Sequence, residues 1–388
     1  MIFLYVWFVP RVKFLIPSFF LLAFHLSCAQ SFNNGILSHN GENRAYRLFI
    51  PSQYDGETSI PLLLNFHAGN GSIQDQVDLS DMHTIADTAN FMVVYPQALA
   101  DPTDGGSTNW MRKAPTTFDD VPFIKTLIDT VSSQYNIDKE RVYATGYSLG
   151  GEFTFELGCR LFDKIAAIAP VARPMTKVTY ENCNPNRPLP VMLVMGTNDD
   201  TYNGIEFGGT KWYFSASETM NFWAEHNNTE TSAVVTDFQD ISNMDGSTAQ
   251  KSTWQNGDQC VSIEHIKIIN GGHTWPGSFF GNQDINGSKE IWKFLSKYDI
   301  NGLIDCETNS YENLSSHTTV QVNPNPFRNF IEIHGLKNTI EYKIFSSLGE
   351  EIEKGNLTVS NPILQTSNLP KGLYILKMEG QMFRILKN

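Results

Sequence analysis

The sequence predicts an α/β fold with a mostly parallel central sheet, followed by a small C-terminal all-β sandwich domain. Three observations lead to this expectation. Between residues 45 and 300, short apolar runs alternate with helix-like stretches, as in parallel sheets that are covered on both faces. Within that region a glycine-flanked serine, at 146–151, joins an apolar run directly to a helix-like stretch. After residue 320 the pattern changes to short strands separated by turns.

The apolar runs predict the strands of the central sheet. An edge strand is expected at 46–50, where Pro51 ends it, and a helix at 120–135, where apolar residues recur at helical spacing behind an acidic start. Buried strands are expected at 62–66 and 91–95, strands of the central type at 166–171 and 191–195, and a further strand at 266–269. In sheets of this kind, functional side chains lie in the loops beyond the carboxyl ends of the strands.

The first 29 residues have the pattern of a secretory signal peptide. Arg11 and Lys13 supply a positive start, the apolar run at 14–24 is too short to span a bilayer, and small residues precede a cleavage point after residue 29. Lipid attachment at Cys28 is the alternative. We therefore expect a secreted protein that is not inserted in a membrane after processing.

Charge and composition limit the class of protein and its partners. The 388 residues include 28 basic and 41 acidic side chains, a net charge of −13. Removing residues 1–29 takes away two basic residues and no acid, which makes the charge of the processed chain −15. This acidity disfavours nucleic acid and anionic surfaces as partners. A hydrophobic content of 41% with 18% charged residues is that of a globular protein.

Four cysteines follow the signal segment, and an even number in a secreted chain predicts disulfides. The most plausible pairs are Cys159 with Cys183 and Cys260 with Cys306, although four cysteines allow three pairings and spacing does not choose among them. Neither a CxxC nor an HExxH spacing occurs, so no structural zinc site is expected. No metal or cofactor is implied.

The segment Gly-Tyr-Ser-Leu-Gly-Gly at 146–151 predicts a nucleophile elbow, in which a strand turns sharply into a helix. The flanking glycines allow the strained backbone that Ser148 adopts in such a turn. The Ser148 hydroxyl would then stand above the sheet, with the Leu149 amide aimed at a developing oxyanion. An ordinary glycine-rich turn is the alternative interpretation.

A serine nucleophile needs a base, and the base needs an acid that fixes its tautomer. In the α/β-hydrolase order the acid follows the serine and the histidine comes last. Asp199 lies in the loop after the strand at 191–195 and is the candidate acid, with Asp200 as its alternative.

The candidate base is His273, which lies on a glycine-hinged loop after the strand at 266–269. Two other histidines are rivals. His265 falls inside the strand, where alternation accounts for it, and His226 ends a helix, where a cation suits the helix dipole.

A second oxyanion donor should come from the loop at 67–72, where glycines let the backbone approach a tetrahedral intermediate. The amide of Gly69 or Asn70 is the expected partner of the Leu149 amide. His67 is expected to support this loop structurally. Candidates for substrate binding are Trp110, Trp275 and Tyr147, with core packing as the alternative for the two tryptophans.

Five segments together resemble a known family: Leu-Leu-Leu-Asn-Phe-His-Ala-Gly at 62–69, Asp-Asp-Val at 119–121, the elbow at 146–151, Gly-Thr-Asn-Asp at 196–199 and Gly-His-Thr-Trp-Pro-Gly at 272–277. They look like the polyhydroxybutyrate depolymerase and feruloyl esterase family of secreted α/β-hydrolases, which cleave esters in polymers and on plant-polysaccharide side chains. The likeness covers about residues 34–300. It implies Ser148 as nucleophile, Asp199 as acid and His273 as base.

The C-terminal region has a likeness of its own. Residues 307–319 are polar and predict a linker, and residues 320–388 predict a β-sandwich without a catalytic set of side chains. Asn-Pro-Asn-Pro-Phe at 323–327, Ser-Leu-Gly-Glu at 347–350 and Leu-Pro-Lys-Gly-Leu-Tyr at 369–374 resemble the type A sorting domain of the type IX (Por) secretion system of Bacteroidetes. The resemblance implies passage across the outer membrane with that machinery as a partner. A carbohydrate-binding module is the rival interpretation.

These expectations combine into one hypothesis. Residues 30–306 form the catalytic domain of an extracellular serine carboxylic-ester hydrolase, which acts through an acyl-enzyme on ester bonds of polymers. The polymer is either a polyester of the polyhydroxyalkanoate type or a polysaccharide that bears feruloyl or acetyl esters. Small soluble esters are a further candidate substrate. The alternatives are a peptidase of the same fold and a non-catalytic protein that binds surface polysaccharide.

Overall fold

The structure, a computed structural model, describes residues 31–101, 105–110, 119–306, 321–336, 338–346, 351–378 and 381–388. The predicted signal segment and linker, and the motif at 347–350, lie outside the described residues. The chain divides into two compact units, Met1–Thr308 and Asn309–Asn388.

The first unit is built from strands and helices in alternation. Its strands are β1 Ser31–His39, β2 Glu42–Ile50, β3 Ile60–Phe66, β4 Met92–Pro96, β5 Ala100–Asp101, β6 Ser107–Thr108, β7 Ile137–Tyr147, β8 Ala167–Val171, β9 Val191–Gly196, β10 Ile205–Phe207, β11 Thr210–Tyr213, β12 Val234–Asp237, β13 Thr248–Trp254, β14 Ile263–Ile269, β15 Tyr298–Asp299 and β16 Gly302–Leu303. Its helices are α1 Ile73–Ser80, α2 Met82–Ala89, α3 Asp120–Gln134, α4 Leu149–Arg160, α5 Lys177–Asn182, α6 Ala216–His226 and α7 Gly287–Leu295.

Ten strands form the central sheet in the order β1-β2-β4-β3-β7-β8-β9-β14-β13-β12. The pairs from β4 through β14 are parallel, and the pairs outside them on both sides are antiparallel. The predicted mostly parallel α/β sheet is therefore confirmed. Because parallel strands point the same way, the loops after β3, β7, β8, β9 and β14 open at one edge of the sheet, where functional groups collect.

One strand expectation was wrong. The strand predicted as the edge, β2, pairs with β4 on one side and with β1 on the other. The edge is β1, whose side chains are mostly exposed or half-buried. Since β1 buries little, it carries no continuous apolar run, and periodicity did not reveal it.

Two apolar layers cover the two faces of the sheet. Alternate residues of β3 belong to opposite layers: Leu62 and Leu64 pack with α3, α4 and α6, while Leu63 packs with α1, α2 and α7. All seven residues of β3 are buried. Burial on both faces explains why the central strands are continuous apolar runs rather than alternating ones.

Two disulfides stabilise this unit, and both are the pairs that were most plausible from the sequence. Cys159 of α4 is bonded to Cys183 after α5, with Cα atoms 4.9 Å apart. Cys260 is bonded to Cys306, with Cα atoms 5.8 Å apart.

The second unit consists of two small antiparallel sheets. Its strands are β17 Gln321–Asn323, β18 Phe330–His334, β19 Ile340–Ser346, β20 Glu351–Leu357, β21 Ile363–Gln365, β22 Gly372–Met378 and β23 Gln381–Lys387. One sheet has the order β17-β18-β21 and the other β20-β19-β22-β23. Ile331 and Leu364 of the first sheet share an apolar cluster with Ile344 and Leu376 of the second. This is the small β-sandwich that the alternating pattern predicts.

Among the described residues, no helix has both the length and the apolar character that crossing a membrane requires.

Candidate active site

Ser148 occupies a sharp turn between β7 and α4. Its backbone has φ 57° and ψ −119°, a conformation that costs energy for a residue with a side chain. The neighbouring glycines are required by close backbone approach. A Cβ atom on Gly146 would lie 2.5 Å from the Gly150 carbonyl oxygen, and one on Gly150 would lie 2.3 Å from that of Phe66. The Ser148 amide donates to the Val171 carbonyl of β8 at 2.9 Å, which ties the turn to the sheet.

Three side chains that are distant in sequence form one hydrogen-bonded chain. The Ser148 hydroxyl lies 2.9 Å from Nε2 of His273, and Nδ1 of His273 lies 2.6 Å from Oδ2 of Asp199. Because the Asp199 carboxylate accepts only, Nδ1 carries the donated proton and Nε2 is free to accept from the serine. The His273 side chain is 32% exposed, whereas that of Asp199 is fully buried. The arrangement can remove a proton from Ser148, which is itself 8% exposed, through a partly exposed imidazole.

Asp199 is held as a carboxylate. Burial by itself would raise the pKa of Asp199, but hydrogen bonds from His273 and from the Thr201 amide outweigh it and lower that pKa to about 2. The Thr201 amide and hydroxyl both donate to Oδ1, at 3.0 and 2.9 Å. The alternative acid, Asp200, is 72% exposed and pairs with Arg173 instead.

The two rival histidines do not contact Ser148. His265 lies buried in β14 with its Nε2 unpaired, and burial lowers its pKa to about 3, so it stays neutral. His226 at the end of α6 bonds the Arg187 carbonyl through Nε2 at 3.0 Å.

The predicted oxyanion donors differ in whether their backbone amides already have a hydrogen-bond acceptor. Leu149 is the first residue of α4, so its amide has no acceptor within the helix. The Gly69 amide makes no hydrogen bond among the described residues, and Gly69 lies against the Leu149 side chain. The Asn70 amide, however, donates to the Thr108 carbonyl at 2.9 Å. Because this bond occupies the Asn70 amide, we keep Gly69 as the candidate for the second donor.

His67 supports the loop that carries Gly69. Its Nδ1 donates to the Ala68 carbonyl at 2.6 Å, and its Nε2 accepts from the Ala98 amide at 3.0 Å. Burial lowers the pKa of His67, which favours the neutral ring that both bonds need. These contacts agree with a structural role.

The two tryptophans proposed for substrate binding belong to the core. The Trp110 indole donates to the His67 carbonyl at 2.8 Å and stacks on Phe153. The Trp275 indole donates to Ser288 at 3.1 Å. Their exposed fractions are only 6% and 1%, which agrees with the core-packing alternative.

Tyr147 is half-buried and contacts the loop that carries the base. Its hydroxyl donates to the His273 carbonyl at 2.7 Å, and the two rings lie 5.2 Å apart. Burial raises the pKa of Tyr147 to about 12, so the hydroxyl stays a donor. Tyr147 therefore holds the loop that carries the imidazole.

Sequence reasoning missed two residues at this site, Thr201 and Arg173. Thr201 stands two positions after the acid, the spacing of a turn closed by an aspartate side chain, so a local signal existed. Arg173 has no motif around it. The signal that could have identified Arg173 is its position just beyond the carboxyl end of β8, where functional side chains collect.

Comparison with known proteins adds a family match and several relatives. Residues 321–387 match the family described as "Secretion system C-terminal sorting domain". The chain is 28% identical over 276 residues to "Bifunctional acetylxylan esterase/xylanase XynS20E" of Neocallimastix patriciarum, covering 71% of this chain and 36% of that protein. It is 28% identical over 261 residues to "Feruloyl esterase B" of Piromyces equi, covering 65% and 44%. The chain thus spans less than half the length of these two relatives.

Two further similarities are with "Putative esterase NocK" of Nocardia uniformis subsp. tsuyamanensis and with a solved structure. The first is 26% identical over 263 residues, covering 62% of this chain and 73% of that protein. The solved structure, "Acetyl xylan esterase from Aspergillus awamori", has a TM-score of 0.49 at 16% identity and covers 69% of this chain and 99% of its own.

The sheet order, the elbow after β7 and the sorting-domain match agree with the family resemblance and with the expected extracellular location. The chain therefore combines an α/β fold, whose central sheet is mostly parallel, with a C-terminal region that matches a secretion system sorting domain.

Proposed function

We propose that this chain is an extracellular serine carboxylic-ester hydrolase that works through an acyl-enzyme. One observation carries the proposal: the Ser148 hydroxyl, the His273 imidazole and the Asp199 carboxylate are joined by hydrogen bonds of 2.9 and 2.6 Å. This is the arrangement that turns a serine hydroxyl into a nucleophile.

In the acylation step, Ser148 Oγ attacks the ester carbonyl carbon while Nε2 of His273 takes the hydroxyl proton. The amides of Leu149 and Gly69 hold the negative oxygen of the tetrahedral intermediate, each contributing a factor on the order of 10² to 10³ in rate. The imidazolium is stabilised by Asp199. It then protonates the leaving alcohol oxygen, and the carbon–oxygen bond breaks to give the acyl-enzyme.

In the deacylation step, a water molecule takes the place of the alcohol. His273 removes a proton from that water as it attacks the acyl carbon, and the second tetrahedral intermediate collapses with Ser148 as the leaving group. The acid product departs and Ser148 regains its proton. The ester and one water molecule together account for the atoms of the acid and alcohol products.

The substrate in this proposal is an ester carried by a polymer. The relatives named as acetylxylan and feruloyl esterases favour acetyl and feruloyl esters of plant polysaccharide. A polyester of the hydroxyalkanoate type is the competing polymer. The partial exposure of His273 suits a long chain, because the reacting bond need not enter a closed cavity.

The sorting domain extends the proposal to export. We infer that residues 321–387 direct the chain through the type IX machinery, since the match is to a C-terminal sorting domain of a secretion system. Retention of the full chain inside cells that lack this machinery would support the inference, and unchanged release would contradict it.

The test of the activity is the variant Ser148→Ala. We expect hydrolysis of a p-nitrophenyl acyl ester to fall by a factor on the order of 10⁴ to 10⁶ in kcat, because the nucleophile is lost. A peptide p-nitroanilide, assayed in parallel with the wild type, should not be cleaved. Wild-type turnover in the variant would refute the proposal. Release of ferulate, acetate or 3-hydroxybutyrate from the matching polymers then identifies the substrate.

A further inference from the structure

Arg173 lies at the edge of the sheet where the proposed catalytic groups meet, yet the proposed mechanism does not use it. It stands two residues beyond Val171, the last residue of β8 and the register partner of Tyr147. The Val171 carbonyl accepts the Ser148 amide at 2.9 Å. Ala172, with φ 57°, turns the chain out of the strand just before Arg173. The arginine therefore leaves the sheet beside the nucleophile.

The guanidinium group of Arg173 is anchored but poorly paired. Its carbon lies 5.4 Å from the centre of the Tyr213 ring, and only 18% of the side chain is exposed. Among the described residues its one hydrogen bond runs from Nη1 to the Asp200 carboxylate, at 3.2 Å. Its Nε is buried without an acceptor. A guanidinium has five N–H donors, so most of this binding capacity is unused.

The one hydrogen-bond partner that Arg173 has among the described residues is easily displaced. The Asp200 side chain is 72% exposed, and an ion pair with such an exposed member contributes little stability. The position of Asp200 also shows how close the Arg173 guanidinium lies to the proposed catalytic groups. Carboxylate oxygens of Asp199 and Asp200 and a ring nitrogen of His273 all lie within 4.8 Å of one another. The Asp200 carboxylate therefore lies close both to the Arg173 guanidinium, which it accepts from, and to the His273 imidazole.

We propose that Arg173 binds a carboxylate group of the substrate, so that the preferred ester carries a negative charge close to the bond that is cleaved. This inference rests on the proposed esterase function and deepens it. A substrate carboxylate would replace Asp200, which moves into solvent, and would accept two parallel N–H bonds from the guanidinium. A uronic-acid polysaccharide and the free carboxyl end of a polyester chain both offer this group.

The test uses two esters that differ in one charge, 4-acetoxybenzoate and its neutral counterpart 4-acetoxybenzamide, assayed with the full-length protein. The measured quantity is the ratio of kcat/KM for the anion to kcat/KM for the amide. A ratio cancels any general change in folding or in the catalytic groups. We expect about tenfold or greater preference for the anion in the wild type, carried by KM, as for a hydrogen bond to a charged group.

Three variants make the test specific. Arg173→Gln should reduce the ratio to about one, with little change in hydrolysis of the amide. Arg173→Lys should keep part of the preference for the anionic ester, because an ammonium group retains the charge but cannot bind a carboxylate in the bidentate geometry of a guanidinium. Asp200→Asn should raise the ratio, since it removes the competing carboxylate. Salt at about 0.5 M should lower the wild-type ratio by screening.

The outcomes separate this inference from the function on which it rests. A wild-type ratio of one or less, or an unchanged ratio in Arg173→Gln, overturns the role of Arg173 while esterase activity stands. Equal losses on both esters in Arg173→Gln and Arg173→Lys would assign Arg173 to holding the Asp199 loop, which also overturns it. Failure of the wild type to cleave either ester would instead refute the esterase proposal.

The same variants distinguish the two sources of the carboxylate. Acetylated oligomers of a uronic acid represent the polysaccharide, and 3-hydroxybutyrate dimer with a free carboxylate, beside its terminal amide, represents the polyester end. The source whose hydrolysis falls about tenfold or more in Arg173→Gln is the one that Arg173 recognises. A loss on neither would contradict the inference.

Discussion

At the scale of single residues, chain order and loop position predicted which serine, aspartate and histidine meet. Ser148, Asp199 and His273 each follow a buried strand, so the parallel sheet brings them to one edge. The sequence could not show which backbone amides are free to act as oxyanion donors, because that depends on individual hydrogen bonds between distant segments. The Asn70 amide, for example, bonds the Thr108 carbonyl, a contact between segments that no local pattern encodes.

Tyr147 gives a residue-scale prediction about positioning. In Tyr147→Phe the bond from the hydroxyl to the His273 carbonyl is lost, so the imidazole is held less firmly. We expect kcat/KM for a p-nitrophenyl ester to fall about twofold to tenfold, the factor that matches the usual net value of one hydrogen bond.

Tyr143→Phe is the matched control for Tyr147→Phe. The Tyr143 hydroxyl also bonds a backbone carbonyl, that of Tyr298, at 2.6 Å, but it serves no residue of the candidate site. Its removal should lower the temperature of unfolding and leave kcat/KM unchanged. If both variants lose activity equally, Tyr147 has no special positioning role.

At the scale of strands and helices, burial determined what could be predicted. The continuous apolar runs of β3, β4, β8 and β9 predict strands that are covered on both faces. The outer strands β1 and β12 were not predicted, because their side chains are mostly exposed and their sequences therefore show little apolar periodicity. Central elements were thus predictable and peripheral ones were not.

His265 provides a prediction for strand β14. Burial lowers the pKa of this unpaired imidazole to about 3, whereas an unfolded histidine titrates near 6.5. Below that pH only the unfolded chain takes up the proton, so the free energy of unfolding should fall by about 1.4 kcal/mol per pH unit from this group. Urea unfolding between pH 7 and 4.5 measures the slope.

The control for this prediction is His265→Phe, which keeps an aromatic ring beside Tyr202 and cannot take up a proton. Its free energy of unfolding should vary less with pH over the same interval. Equal slopes in the two proteins would show that His265 is not a buried neutral group.

At the scale of the whole molecule, each unit has a core of its own. The two apolar clusters of the first unit contain no residue beyond Leu303, and the cluster of the second contains none before Val322. The change from alternating strands and helices to strands alone was visible in the sequence, which is why the second unit could be predicted as separate. Each unit therefore buries apolar side chains in a cluster of its own.

This separation predicts that the first unit works alone. A chain of residues 30–308 should fold and should hydrolyse a p-nitrophenyl ester with kcat/KM within about twofold of the full chain, because every residue of the proposed mechanism lies within it. Circular dichroism checks folding and steady-state kinetics check activity. A folded but inactive fragment would show that the site needs the second unit.

The most direct test of the whole account is covalent labelling of the nucleophile. A fluorophosphonate probe reacts with serines that a base has activated, and mass spectrometry of peptides locates the adduct. We predict one adduct, on Ser148, with stoichiometry near one in the wild type and very slow labelling in His273→Ala. An adduct on a different residue, or no adduct on a folded and stable wild-type protein, would contradict the account.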